Sequence, residues 1–444
     1  MIITFTIPYL FLRAILTEFR QHPYHVAVGQ AGLSTLLTGD IEVLARSFRC
    51  VHEGAVRQSQ DNAPFRYELG FVPWTFQGPE VWHTAALAAM FAGDLPDTPT
   101  CAILLGSGTE AGLFMGLCTV GDQIAPVHSL RVVGAGMHRL TAVDFRAVSY
   151  GMPWPGAAER WSRVIGALGG QGVWQRLVSL HVCIVGLGRI GSLVATTLVQ
   201  QGVGTLTVID PDTLEEWNLD AMDAVTTRDI GRLKAEAVAE NIQQRFPYTR
   251  ITAVPRSIMS AEARPAVKRA DILVCCVDDD AARLYTGALA CCYAKPLLDI
   301  GTGIFYDQVS PRPVHPMRPA PVQGSPPQRV LGADVRLIVP GDGCLLCWGG
   351  VAQPREAIQR WRTSQPRRPW HVERAGSLRS LNAIAAHLGL RLLEDLVAGR
   401  LTRSVWLRFE TDAHGIPTLR PLLARRRPTC ALCARQGMGD LCGR

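Results

Sequence analysis

Between His181 and Asp212 the chain reads HVCIVGLGRIGSLVATTLVQQGVGTLTVIDPD, and no other stretch restricts the fold as much. An apolar run, Val182 to Val185, passes directly into Gly186-Leu187-Gly188-Arg189-Ile190-Gly191. A helix-period segment follows, and a second apolar run ends at Asp210. Short β-branched runs bounded by glycine behave as buried strands, so the unit reads strand, turn, helix, strand, the start of a Rossmann-like α/β sheet. In such a unit the glycines let backbone approach a phosphate, and the helix N-terminus offers it unpaired N–H groups. The acid closing the second strand can hold a ribose hydroxyl. These residues alone suit NAD as well as ATP.

The flanking residues separate the two. Beyond Asp210 the chain continues Pro211-Asp212-Thr213-Leu214-Glu215-Glu216-Trp217-Asn218-Leu219, and Gly231-Arg232-Leu233-Lys234 opens a long amphipathic helix. A dehydrogenase has no use for this Asn and Lys. In phosphoryl chemistry a lysine brings a point charge to the phosphates and an asparagine fixes sugar or phosphate geometry. Ala270 to Asp280 (ADILVCCVDDD) reads as another buried strand, with three carboxylates at the end where α/β sheets place their sites. One of them suits Mg²⁺, and the others are expected to cap a helix beginning at Ala281.

Thirteen cysteines in 444 residues point to metal or catalysis, not to a small disulfide scaffold. Cys344-Leu-Leu-Cys347 and Cys430-Ala-Leu-Cys433 are two CxxC knuckles. Four thiolates brought together would give tetrahedral Zn²⁺ no open position, a structural clamp; a redox pair is the competing reading. Elsewhere, 48% hydrophobic and 19% charged residues supply ample core for two or three domains. The apolar start, MIITFTIPYLFLRAILTEF, has no preceding basic region and is cut by Pro8 and Arg13, so it reads as a strand and a helix. With no run of about 18 apolar residues, the expectation is a soluble, cytoplasmic protein without a membrane span. The net charge of +7 is carried by arginine, the only lysines being Lys234, Lys268 and Lys295. Its clusters (Arg367-Arg368, Arg425 to Arg427) are short and lack aromatic platforms, which argues against nucleic acid.

Residues 1–150 read as a smaller α/β domain, with a hairpin over Ile103–Val120, a strand pair over Ser129–Thr141 and helical periodicity over Pro79–Gly93. His22 and His25 bracket an expected turn, and neither they nor His83 belong to a catalytic set. The proline- and glycine-rich Tyr150–Gly156 marks the boundary, so residues 151–444 form the second unit. Pro311–Pro327 reads as a crossover segment able to admit an extended polypeptide.

Taken together, GLGRIGS, VIDPDTLEEWNLD, GRLK, CCVDDDAARL, LDIGTGI, the two knuckles and SLRSLNAIAAHLG resemble the ThiF, MoeB and HesA family of ATP-dependent adenylyltransferases, which includes the ubiquitin-activating enzymes. LDIGTGI, VRLIVPGDGCLLC and CALCARQGMGD resemble members found in bacterial operons with ubiquitin-like proteins. The resemblance implies ATP, Mg²⁺ and structural Zn²⁺ as cofactors, and a ubiquitin-like protein whose C-terminal carboxylate is adenylated. A conjugating enzyme and antiviral defence are further implications. It places Gly186, Gly188 and Gly191 in the nucleotide loop, Asp210 on the ribose, Asp212 and Asn218 around the site and Lys234 on the phosphates. Asp278 becomes the Mg²⁺-linked acid. Arg163, in the Arg160-Trp161-Ser162-Arg163 lead, would reach the γ-phosphate from the partner of a homodimer. The N-terminal unit loosely resembles a JAB-type domain without its zinc signature, a docking or assembly part.

Two departures stand out. Where the family has an arginine after Asn-Leu, this chain has Ala221, and Arg189 inside the glycine loop either substitutes for it or points to solvent. A transfer cysteine for thioester formation is also missing between Trp348 and Gly376; Cys442, read as an exposed tail residue, is the remaining candidate. A non-catalytic adaptor and a sulfur-carrier adenylyltransferase therefore remain as alternatives.

Overall fold

The computed structural model describes residues 1–22, 25–52, 69–74, 101–106, 114–120, 123–141, 146–147, 157–306, 329–351, 354–363, 378–411 and 416–443. The expected helix over 79–93 with His83, the boundary at 150–156 and the crossover at 311–327 lie outside them. Among the described residues the chain builds two sheets.

The first contains β1 (Ile3–Pro8), β2 (His25–Thr35), β3 (Ile41–His52), β4 (Leu69–Trp74), β5 (Cys101–Gly106), β6 (Phe114–Val120), β7 (Gln123–Pro126), β8 (Ser129–Val133), β9 (Arg139–Thr141) and β10 (Arg146–Ala147). Their order is β10-β9-β8-β1-β3-β2-β4-β5-β6-β7. β5 and β6 are the expected hairpin, and β8 and β9 the expected pair. The amphipathic α1 (Tyr9–Gln21) buries Ile15 and Phe19 in this sheet's core with Phe5, Ile7 and Phe71.

The second sheet takes β11 (His181–Val185), β12 (Thr205–Ile209), β13 (Arg250–Val254), β14 (Ile272–Cys275), β15 (Leu297–Tyr306), β16 (Arg329–Ile338), β17 (Val405–Thr411) and β18 (Pro417–Pro421) in the order β13-β12-β11-β14-β15-β16-β17-β18. It is parallel from β13 to β15 and antiparallel beyond. The chain thus leaves β11 to one side and returns on the other, which opens a crevice beyond the carboxyl ends of β11 and β14. Period-2 alternation sorts the two faces: Val182 and Ile184 join one core, Cys183 and Val185 the other.

The helices are α2 (Ala157–Arg160), α3 (Ser162–Leu168), α4 (Gln171–Ser179), α5 (Arg189–Gln200), α6 (Lys234–Arg245), α7 (Arg264–Arg269), α8 (Asp280–Cys292), α9 (Pro354–Thr363) and α10 (Arg379–Val397). None of the described helices is long and apolar enough to cross a membrane. Several expected bounds shift. β14 is only four residues long and α8 opens at Asp280, because the Asp279 side chain accepts the Ala282 N–H and caps it. β16 is ten residues long, pairing along the whole of β15 out to Tyr306. The segment after Cys347 contains helix α9.

The two sheets meet along a charged seam. Glu42 on β3 takes Lys295 at 3.3 Å and Arg131 at 3.1 Å; Arg131 also reaches Asp271 at 3.2 Å, and Arg139 reaches it at 2.7 Å. Thr6 Oγ1 donates to Glu42 at 2.6 Å, and the His181 amide to Asp271 at 2.8 Å. Every carboxylate here is both paired and hydrogen-bonded, the condition under which buried charge is tolerated.

A second tie comes from residues 437–442. The Gly437 and Gly439 amides donate to the Cys291 and Cys292 carbonyls at 3.0 and 2.8 Å, ending α8, while Gly439 bridges Leu33 of β2. Asp440 accepts from Thr35 N, Lys268 Nζ and Tyr293 Oη. A side chain at Gly32 would lie 1.9 Å from the Gly437 carbonyl oxygen, so only glycine permits this approach. Cys442 is not a free tail thiol: it is half-buried and disulfide-bonded to Cys292.

Candidate adenylation site

Each glycine of the 186–191 turn has a separate task. Gly186 sits at φ +89°, and a Cβ there would press within 3.0 Å of Cys276 backbone, so the turn packs directly on the peptide leading to Asp278. A Cβ at Gly191 would strike the Gly186 oxygen at 1.9 Å, which sets how closely α5 approaches the turn. At Gly188, the N-cap of α5, a Cβ would meet nothing within 4 Å. That is the open position, where the first amides of α5 can face an anion.

Asp210, at the end of β12, is buried and holds this turn from below. Its Oδ2 accepts the Leu187 amide at 2.7 Å and its Oδ1 the Asp212 amide at 2.9 Å. Burial raises its pKa above the usual carboxylate value, with Lys234 working in the opposite direction. Each oxygen keeps acceptor capacity for a hydroxyl. Lys234 opens α6; its amide donates to Asp212 O at 2.9 Å and its Nζ to Asp212 Oδ2 at 3.0 Å. Asn218 lies in a short 3₁₀ turn and accepts the Glu215 amide at 2.9 Å, so its side chain shapes that turn. Asp278 is exposed just past β14.

Arg189 does not extend freely into solvent. Its guanidinium lies 3.0 Å from Asp220 and folds over the segment Trp217 to Asp220, directly before the buried Ala221. Arg163 stands apart from this group. It is exposed on α3, and the neighbouring Trp161 Nε1 donates at 2.7 Å to Gln200 O, at the opposite end of α5 from the turn. Twelve helical residues span about 18 Å, which places Arg163 well away from its own chain's turn.

The four knuckle sulfurs converge. Cys344 lies 3.4 Å from Cys430 and 3.8 Å from Cys347, Cys347 lies 3.5 Å from Cys433, and all four fall within 4.8 Å. Sulfurs around tetrahedral Zn²⁺ stand about 3.8 Å apart, given Zn–S bonds of about 2.3 Å, so the donor set fits that ion. The Arg427 amide donates to Cys347 Sγ at 3.3 Å, a backbone hydrogen bond that orients this sulfur. Cys183 and Cys275 are buried, which pushes both thiols up to about 12 and leaves them poor nucleophiles.

The ThiF family pattern matches residues 161–391, just over half of the chain. The chain belongs to the ThiF family. Among curated relatives, this ThiF-family chain is 34% identical over 132 residues to the sulfur carrier protein ThiS adenylyltransferase of Escherichia coli K12, covering 30% of this chain and 51% of that one. It is 32% identical over 170 residues to the adenylyltransferase and sulfurtransferase uba4 of Aspergillus niger, 37% of this chain and 35% of that one. It thus spans about half or less of the length of these relatives. Solved structures of E. coli MccB, one with ATP, align at 20% identity and a TM-score of 0.44 over 62% of this chain and 74% of theirs.

Two sets of residues were missed by sequence reasoning. The seam joins Glu42 to Lys295, 253 positions apart, and no local period reveals such a pair. Arg283 lies inside CCVDDDAARL, where the three acids draw attention away from it; the spacing that puts it one turn into α8, facing back under Asp278, was the available clue.

Proposed function

We propose that this protein is an ATP-dependent adenylyltransferase that activates the C-terminal carboxylate of a small ubiquitin-like protein and releases pyrophosphate. The observation that carries this reading is the convergence of the open Gly188 position, Asp210 and the Lys234–Asp212 pair at the carboxyl ends of β11 and β12 in a ThiF-family chain. ATP would lie on the glycine turn with its ribose towards Asp210. Lys234, leaving Asp212, would neutralise phosphate charge, and Asp278 would hold Mg²⁺. The carboxylate attacks the α-phosphorus and the α–β bridging oxygen leaves with pyrophosphate. Arg163 would serve the active site of a second copy, so the working form is a homodimer.

Zn²⁺ in the four-cysteine site would fix the polypeptide around residues 344–433 without entering the reaction. Residues 1–150 act as a docking unit fixed to the 151–444 adenylation unit by the seam. A bacterial ubiquitin-like conjugation pathway, with a conjugating enzyme downstream and a role in defence, is the setting we favour. The test is ATP–pyrophosphate exchange with and without an added small ubiquitin-like protein that ends in glycine. Exchange that depends on that protein and is lost in Asp278→Ala supports the reading; no exchange, together with no ATP binding by calorimetry, would establish the adaptor reading that the buried Ala221 favours.

A further inference from the structure

A line of buried charge runs under Asp278 and ends on the peptide bond that carries it. Arg283, one turn into α8, has its side chain 13% exposed and donates through Nη2 to the carbonyl of Val277. Its Nε faces Asp299 Oδ1 at 3.6 Å, too far for a hydrogen bond, so its strong contact is the one to Val277. Asp299 is completely buried and takes Arg336 Nη1 at 3.1 Å. Arg336 in turn donates through Nε to Trp348 O at 2.8 Å and through Nη2 to Gly349 O at 3.0 Å, on the peptide that follows Cys347. On the far side of Arg283, Gly301 leaves just enough room: a Cβ there would lie 2.9 Å from Nη1.

The Val277 carbonyl and the Asp278 amide share one rigid plane. Whatever holds that oxygen fixes the plane from which the Asp278 N–Cα bond departs, and so restricts where its side chain can reach. We propose that Arg283 is a positioning residue that aims Asp278 at the nucleotide-bound metal by gripping the Val277 carbonyl, with Asp299 and Arg336 anchoring the grip to the polypeptide after Cys347. This rests on the proposed adenylation function and adds to it the group that sets metal use.

The test measures ATP affinity of the full chain by calorimetry, in buffer with and without Mg²⁺ and with the four-cysteine site left undisturbed. Arg283→Gln should lower the Mg²⁺-dependent gain in affinity by about tenfold, as expected for loss of a charged hydrogen bond, while Mg²⁺-free affinity stays within about twofold. Arg283→Lys should restore part of the gain. Gly301→Ala, which keeps the arginine but crowds Nη1, should shift it in the same direction by less, and it decides the matter if Arg283→Gln does not fold. In an Asp278→Ala background Arg283→Gln should have no further effect on the gain. A wild-type Mg²⁺ gain in both Arg283→Gln and Gly301→Ala, or equal losses with and without Mg²⁺, would overturn the positioning role alone. Wild-type protein without any Mg²⁺-dependent ATP binding would overturn the adenylation reading and this role together.

Discussion

Two lysine–carboxylate pairs in this protein have similar lengths and opposite characters. Lys234 lies 3.0 Å from Asp212, whose side chain is 56% exposed, whereas Lys295 lies 3.3 Å from Glu42 with the two side chains 0% and 5% exposed. The Lys234 side chain is 11% exposed, but Asp212 can turn to solvent when a phosphate takes over the lysine. The sealed pair has no such freedom. Burial pushes Lys295 down to about 8 against the pull of Glu42, while Lys295 and Arg131 outweigh the effect of burial on Glu42 and keep that acid below its usual value. One pair is placed to exchange partners and the other to hold two sheets in register.

Glu42→Ala should therefore have the largest effect on stability, about 3–5 kcal/mol in urea unfolding, because it leaves Lys295 buried without that carboxylate. A Glu42→Gln, Lys295→Met double variant should recover most of the loss; a single-variant cost under about 1 kcal/mol would show that the seam is not structural. Lys234→Ala is expected to reverse the pattern. Unfolding should change by less than in Glu42→Ala, because Asp212 keeps its access to solvent, while pyrophosphate exchange falls by about 100-fold.

Asp271 tests the seam through pH. Burial alone would raise its carboxyl, but Arg131 and Arg139 overcome this and hold it at about 2, against an ordinary value of 3.8. A folded-state value below the unfolded one means the stabilisation is complete above about pH 4 and is lost as pH falls towards 2. It amounts to about 2 kcal/mol. Acid unfolding of Asp271→Asn should lose that part of the slope. The smallest effect belongs to Cys442→Ser. The four-cysteine cluster already closes the long loop, so removing the Cys292 link should cost only about 1 kcal/mol, and thiol titration of unfolded protein should count one more free cysteine, Cys292, than wild type under oxidising conditions.

The same contrast separates what the chain discloses locally from what it does not. The glycine turn, Asp210, Lys234 and the knuckles were legible because each follows from a short-range requirement: a positive φ, a strand end, a helix start, paired thiolates. Lys268 and Lys295 were visible only as two of three lysines, and their role emerged when folding brought Asp440 and Glu42 to them. Nothing local signals the burial of Cys442, because its partner is 150 positions earlier. Arg189 was open between two roles, and the pairing with Asp220 removes the freely solvated one.

The insertion of residues 437–442 beside β2 also imposes an order on biogenesis. Strand β2 leaves the ribosome some 400 residues before the segment that seats against Leu33 and Thr35. Domains tend to fold as they emerge, from the N-terminus onward. Through nearly all of translation Gly32 and its neighbours therefore stay uncovered on this side, and this second tie forms only once Gly439 has been made. A nascent chain stalled before that point would display this edge to whatever chaperone or protease meets it.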